Sequence, residues 1–193
     1  MHILTNTYYV FQPPAGAGQY VELDMGCGKG SFSLQLAQRY PQRLLLASDL
    51  MMGRLASLQR KRERLGLSNL LLLRASNLAL ASFQLPPQCI DRLHLLCPDP
   101  WPKRHHRIKR LVCTDFISRL QRILKPGAIL HLSTDHQPYF EDWLKILSRF
   151  PNLVDCPEGI EDISDLKSDF ERQWQARGMP VRHLSRKLVS TQS

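Results

Sequence analysis

No run of apolar residues in this 193-residue chain is long enough to cross a membrane. No basic, apolar leader of the secretory kind opens it, and none is expected. Its five cysteines (Cys27, Cys89, Cys97, Cys113 and Cys156) are odd in number and scattered, without a C-x-x-C pair. That pattern argues against a disulfide framework and a structural zinc site, and a reduced, cytoplasmic protein is expected. His105 and His106 come nearest to a metal motif, but adjacent histidines lack helical i, i+4 spacing and no Cys or Glu accompanies them. No metal is expected. Internal repeats and low-complexity tracts are also missing. Acidic residues are in short supply: 17 Asp and Glu stand against 26 Lys and Arg, a formal net charge of +9. An excess of that size suits a polyanionic partner, nucleic acid before membrane.

What is present begins with Val21 to Gly30, V-E-L-D-M-G-C-G-K-G. Val21, Leu23 and Met25 alternate with polar residues, the period of a strand. Three glycines at alternate positions follow, then Phe32, Leu34, Leu36, Ala37 and Tyr40 at helical spacing. Strand, glycine turn and helix open a doubly wound α/β sheet that takes a nucleotide-like ligand at the strand's carboxyl end. The dehydrogenase pattern G-x-G-x-x-G is not met, because Ser31 fills its last slot. Asp24 before the turn and Asp49, about twenty residues on, suit a ligand with ribose hydroxyls.

The length suits one α/β domain with a full core. Residues 1–19 read as an irregular lead-in and 20–193 as the domain. Further strands are expected over Arg43 to Asp49, Leu70 to Arg74, Ile90 to Cys97 and Ala128 to Thr134. Between them lie a helix ended by Gly66, a helix capped by Thr114 and ended by Pro126-Gly127, and a helix over Tyr139 to Phe150. The basic run from Arg60 to Arg64 reads as a solvated helix face. Strand and helix alternate, which predicts a mostly parallel sheet with helices on both faces. Val181 to Val189 reads as a late strand at the sheet edge.

Asp24, Asp49, Asn77, Asp99 and Asp135 each fall just past an expected strand. One Asp there is an ordinary helix cap. A polar residue after nearly every strand, four of the five acidic, points instead to a ligand along one edge of the sheet. Asp99 also opens the most unusual stretch of the chain, Pro98 to Arg110, P-D-P-W-P-K-R-H-H-R-I-K-R. The prolines fix backbone angles and stiffen the loop. One carboxylate and one indole, Asp99 and Trp101, can then pin a flat base. Lys103, Arg104, Arg107, Lys109 and Arg110 supply positive charge where a phosphate backbone would pass. Further on, Ser168-Asp169-Phe170-Glu171 has the spacing of a capping box.

Together these residues resemble one family, the tRNA (guanine-N7)-methyltransferases, which use S-adenosylmethionine to methylate a guanine in the tRNA variable loop. The likeness runs roughly from Val21 to Phe150 and more faintly through Glu171. P-D-P-W-P-K followed by R-H-H-R-x-K-R is its most specific element; the glycine turn is shared by many methyltransferases. The resemblance implies a Rossmann-like methyltransferase fold in one domain. It implies a cofactor site at Asp24, Gly26, Gly28, Asp49, Asn77 and Asp99, with Ser76 as the alternative to Asn77. Asp99 matches the family's catalytic aspartate. Lys103, Asp135, Ser168 and Glu171 match its substrate-contacting positions. Where the family carries Thr this chain has Ser168, and where many members carry an acid it has Asn77. Expected partners are tRNA and the cofactor, with no membrane and no metal, in a monomer or homodimer. Two rival readings are a same-fold methyltransferase acting on another RNA, a protein or a small molecule, and a non-enzymatic RNA-binding relative.

Overall fold

Residues 1–4 and 10–190 are described in a computed structural model, with the side chain of Arg104 outside that description. Strands β1 (His2–Ile3), β2 (Val21–Met25), β3 (Leu44–Asp49), β4 (Leu70–Arg74), β5 (Ile90–Leu96), β6 (Leu124–Thr134), β7 (Leu153–Asp155) and β8 (Arg182–Leu188) form one sheet. Its order is β1-β4-β3-β2-β5-β6-β8-β7. The first six pair in parallel, while β8 runs antiparallel to β6 and β7. Helices α1 (Ser31–Arg39), α2 (Met52–Arg64), α3 (Asn77–Ala79), α4 (Thr114–Ile123), α5 (Gln137–Leu147) and α6 (Asp169–Gln175) connect or cover the strands. This is a doubly wound, mostly parallel α/β sheet, as expected.

Side-chain alternation fixes the register. Leu23 and Met25 of β2 enter one core with Phe116, Leu120 and Trp143 of α4 and α5. Leu45 and Ala47 of β3 enter the other with Phe32, Leu36, Leu55 and Leu58 of α1 and α2. A slip of one residue would send each set to the wrong face. Gly30, at the N-cap of α1 with φ +75°, is fixed twice over. Its backbone lies in the left-handed region, and a Cβ there would come within 2.4 Å of Leu58 Cδ2. The turn closes onto α2 only because the residue is glycine.

Connections run from β2 outward to β3 and β4 on one side, and from β5 to β6 on the other. The strand order therefore reverses between β2 and β5, opening a crevice at their carboxyl ends. Several boundaries differ from expectation. Thr114 is the first residue of α4, and the cap position is Cys113, whose side chain makes no capping bond. Pro126 and Gly127 lie inside β6: pairing jumps from Ile90↔Leu124 to Arg92↔Ile129, so they form a bulge that a ladder of regular bonds would not admit. The late strand β8 is not the edge, because β7 pairs outside it. Three residues are too short for a periodic signal. His2–Ile3 likewise pairs with Leu73 and Arg74, so the lead-in is not irregular throughout.

Candidate active site

The glycine turn is tied down by its neighbours. Gly26 and Cys27 donate their N–H groups to the Ser48 carbonyl at 2.9 and 2.8 Å. Gly28 donates to Asp49 Oδ2 at 3.1 Å, and Asp49 Oδ1 accepts from Met51 N–H at 2.7 Å. One carboxylate thus joins the turn to the start of α2, with Arg54 at 3.4 Å. Gly26 and Gly28 both have positive φ, and the space a Cβ would take at Gly28 is open.

Asp24 is buried at the end of β2 and accepts from Ser33 Oγ at 2.5 Å. Burial pushes its carboxyl up to about 7, with the nearby Asp49 charge adding and the Ser33 hydrogen bond opposing. Near neutrality Asp24 therefore gains from a cationic or hydrogen-bonding partner. The thiol of Cys27 is pushed far up by burial beside Asp24 and Asp49. Burial raises the Cys97 thiol to about 11. Neither cysteine of this region is a nucleophilic thiolate at neutral pH.

A cleft of about 590 Å³ opens across the switch point, and Gly26, Asp49, Asn77, Asp99, Trp101 and Asp135 all line it. Its size falls in the usual range for small-ligand sites. A narrower cavity of about 60 Å³ beside it carries Asp24, Gly28 and Ser168. The residues read from strand ends are thus brought together. Asn77 turns its amide toward Gly26, 3.6 Å from where a Cβ would stand. Ser76 also lines the cleft, but its hydroxyl accepts from Ala79 N–H as a helix cap.

The Pro98–Arg110 loop is held under strain. Cys97 and Trp101, on either side of Pro98-Asp99-Pro100, have φ of +47° and +41°. Such angles in residues other than glycine cost on the order of 1–3 kcal/mol each. Cys97 N–H bonds to Ser133 at 2.8 Å, and Arg110 Nε–H to the Pro100 carbonyl at 2.8 Å. Lys109 Nζ lies 4.9 Å from the Trp101 ring centroid and His106 meets that ring edge-on. Asp99 itself is exposed toward the cleft.

Arg110 departs from expectation. It is buried, paired with Asp142 and stacked over Tyr139, and supplies no free charge to a phosphate. Lys103, Arg107 and Lys109 remain exposed. Lys103 sits outside the cleft. Ser168 Oγ accepts from Glu171 N–H at 3.1 Å, which is one half of the expected capping box. The other half is missing, because the Glu171 carboxylate is buried against Lys167 and His183. Among the cleft residues that sequence reasoning missed are Arg54, Phe170 and Trp174. The i, i+4 spacing of the two aromatic rings along α6 was the available signal.

Comparison with known proteins adds four findings. A family model whose description reads "Putative methyltransferase" matches residues 18–184. The chain is similar to the tRNA (guanine-N(7)-)-methyltransferase of Nitrosospira multiformis, 35% identical over 71% of this chain and 60% of that protein. It is 32% identical to the tRNA (guanine-N(7)-)-methyltransferase of Latilactobacillus sakei, over 86% of this chain and 80% of that one. Among solved structures, the 16S rRNA methyltransferase KamB superposes with a TM-score of 0.63 over 89% of each chain. At 19% identity that likeness establishes the fold.

Proposed function

The chain belongs to the tRNA (guanine-N7)-methyltransferase family, and from that premise we propose that it transfers the methyl group of S-adenosylmethionine to N7 of a guanine in the tRNA variable loop. One observation carries the reading: Gly26 of the glycine turn, Asp49 and the strained Asp99–Trp101 loop border a single cleft at the switch point, with Asp24 and Gly28 in the cavity beside it. The residues present suit the cofactor. Asp24 offers a buried carboxylate to a cation, Asp49 an acid beside the turn, and Gly28 open space for close approach. Asp24, Gly26, Gly28, Asp49 and Asn77 hold the cofactor, with Asp99 bordering it; Asn77 serves rather than Ser76, whose hydroxyl already caps a helix. When bound, S-adenosylmethionine supplies an electrophilic methyl group on a sulfonium.

The protein's own task is placement. Guanine N7 carries an in-plane lone pair and no proton, so no general base is required. Holding the base in line can lower the barrier by several kcal/mol. Trp101 packs against the base, and Asp99 accepts hydrogen bonds from its N–H groups. As positive charge develops on the purine those N–H groups become more acidic, and the bonds to Asp99 strengthen. Asp99 therefore orients the guanine and stabilises its charge. Asp135 contacts the same base from the end of β6, and Lys103 engages the RNA at the rim. Ser168 and Glu171 set α6, whose Phe170 and Trp174 close the cleft. Lys103, Arg107 and Lys109 supply the phosphate contacts that the +9 charge anticipates.

The test is mass mapping of nucleosides in tRNA incubated with the protein and isotope-labelled S-adenosylmethionine. Labelled 7-methylguanosine in the variable loop is the expected product. Label at another position, or none, would refute the reading.

A further inference from the structure

A line of hydrogen bonds crosses the sheet to α6, and the chemistry above uses only its last member, Glu171. Glu22 Oε2 lies 2.9 Å from His94 Nε2, and His94 Nδ1 lies 3.0 Å from His131 Nδ1. His131 Nε2 lies 2.9 Å from His183 Nδ1, and His183 Nε2 lies 3.0 Å from Glu171 Oε1. The five residues come from β2, β5, β6, β8 and α6. The line thus runs from the centre of the sheet to the helix that carries Phe170 and Trp174 into the cleft.

The protons along this line can be counted. Each of its four hydrogen bonds requires one proton between its two heavy atoms. A neutral imidazole carries one N–H, so three neutral rings supply three. A fourth proton must reside on one of the five residues. At Glu22 burial favours protonation, but the bonds from His94 and Arg92 outweigh it and hold the carboxyl down to about 2. Arg92 and Arg43 approach it at 2.7 and 2.6 Å. Burial disfavours the cationic form of His94, and of His131 still more strongly. At Glu171 burial also favours protonation, but His183 and Lys167, the latter at 2.8 Å, hold it ionised. The remaining member is His183, whose side chain is 24% exposed where that of His94 is 0%.

We propose that His183 carries the fourth proton and, as an imidazolium between His131 and Glu171, is the positioning residue that holds α6 over the cleft. Charged groups face this line from every side. Glu22 does so from β2, Arg92 from β5 with its partner Asp162, and Lys167 from the stretch before α6. Lys167 pairs with Glu171 from the segment before α6, where its own carbonyl accepts from Gln35 of α1; the imidazolium is the tie between Glu171 and the sheet. Resting on the reading of the cleft as the guanine site, this places His183 behind the position of Phe170 and Trp174 at the base.

The experiment uses the full chain labelled with ¹⁵N and reads ring N–H groups by NMR near neutral pH. Two N–H protons on His183 and one each on His94 and His131 are expected. In Glu171→Gln the introduced amide can donate to His183, so the fourth ring proton is no longer needed. His183 should then show one N–H, and the Trp174 indole cross-peak should shift with it. A single N–H on His183 in the unaltered chain would overturn the proposal, as would two on His94 or His131. An unshifted Trp174 indole cross-peak in Glu171→Gln would overturn it equally. No methyl transfer enters these measurements, so their failure would leave the reading of the cleft standing.

Discussion

Arg110 donates its Nε–H to the carbonyl of Pro100 at 2.8 Å while its guanidinium pairs with Asp142. The last cation of the basic run thus clamps the loop that presents Asp99. Its neighbours Arg107 and Lys109 are exposed, Lys109 lying over the Trp101 ring. One stretch of sequence therefore divides into a structural cation and solvent-facing ones, with separable consequences.

Replacing Arg110 with Ala should destabilise the fold by about 2–3 kcal/mol, the loss of charge-assisted hydrogen bonds, discounted because Asp142 is partly exposed. It should leave the salt dependence of RNA affinity unchanged. The pair Arg107→Ala and Lys109→Ala should do the reverse. Thermal melts should hold, while the slope of log affinity against log salt flattens by about 0.7 to 0.9 for each phosphate no longer neutralised. Equal slopes in all variants would return the run to a solvated face.

Gly30→Ala should be among the most damaging single-methyl additions in the chain. The left-handed backbone costs roughly 1–2 kcal/mol for a residue with a Cβ, and overpacking against Leu58 adds about 1–3 kcal/mol. Urea unfolding should show a lowered midpoint. Adding Leu58→Ala should recover part of the Gly30→Ala penalty, because the clash disappears. Strict additivity in that double-mutant cycle would mean the two side chains do not compete.

Asp24 should leave a signature in the pH dependence of stability. Its carboxyl is raised from the usual 3.8 to about 7, mainly by burial. The folded state then binds the proton more tightly than the unfolded state. Its contribution is complete below pH 4 and is lost as pH climbs from about 4 to about 7. The rise corresponds to about 4 kcal/mol. Asp24→Asn, neutral throughout, should remove that decline and exceed the unaltered protein in stability at pH 8. It should also weaken S-adenosylmethionine binding. Parallel stability curves for the two proteins between pH 4 and 8 would show that Asp24 ionises without penalty.

Asp99→Asn keeps the size and loop geometry of the residue but removes the charge that complements a cationic methylguanine. An amide still accepts one hydrogen bond, so substrate affinity should fall less than turnover. In single-turnover assays the chemical step should slow by about a hundredfold, the lower range for removing one electrostatic interaction with the transition state. Added formate should not restore it by proton abstraction, because N7 has no proton to give up. A wild-type single-turnover rate would reduce Asp99 to a loop-stiffening residue and direct attention to Asp135.

Much of the cleft was determined by sequence alone, because the signals that place it are local. Period-two alternation located β2, and the glycines after Met25 and prolines around Asp99 punctuated strand ends without reference to distant residues. The shared position of Asp49, Asn77, Asp99 and Asp135 at one edge of the sheet followed from parallel winding alone. What only the tertiary structure decided is which polar side chains find each other. Glu22, Arg92, His94 and His131 alternate with apolar residues along their strands, a pattern that by itself reads as a solvated face. Here that face is covered: His94 packs against Phe32 of α1, and Arg92 is capped by Asp162 of the segment Pro157–Ile163. Burial leaves these groups no water, so each must bond to a neighbour from another element. Glu171 illustrates the same competition. Spacing offers it to the Ser168 N-cap, but once β8 brings His183 within 3.0 Å the charged partners win. Local spacing proposes partners for a polar side chain; exclusion of water by packing selects among them.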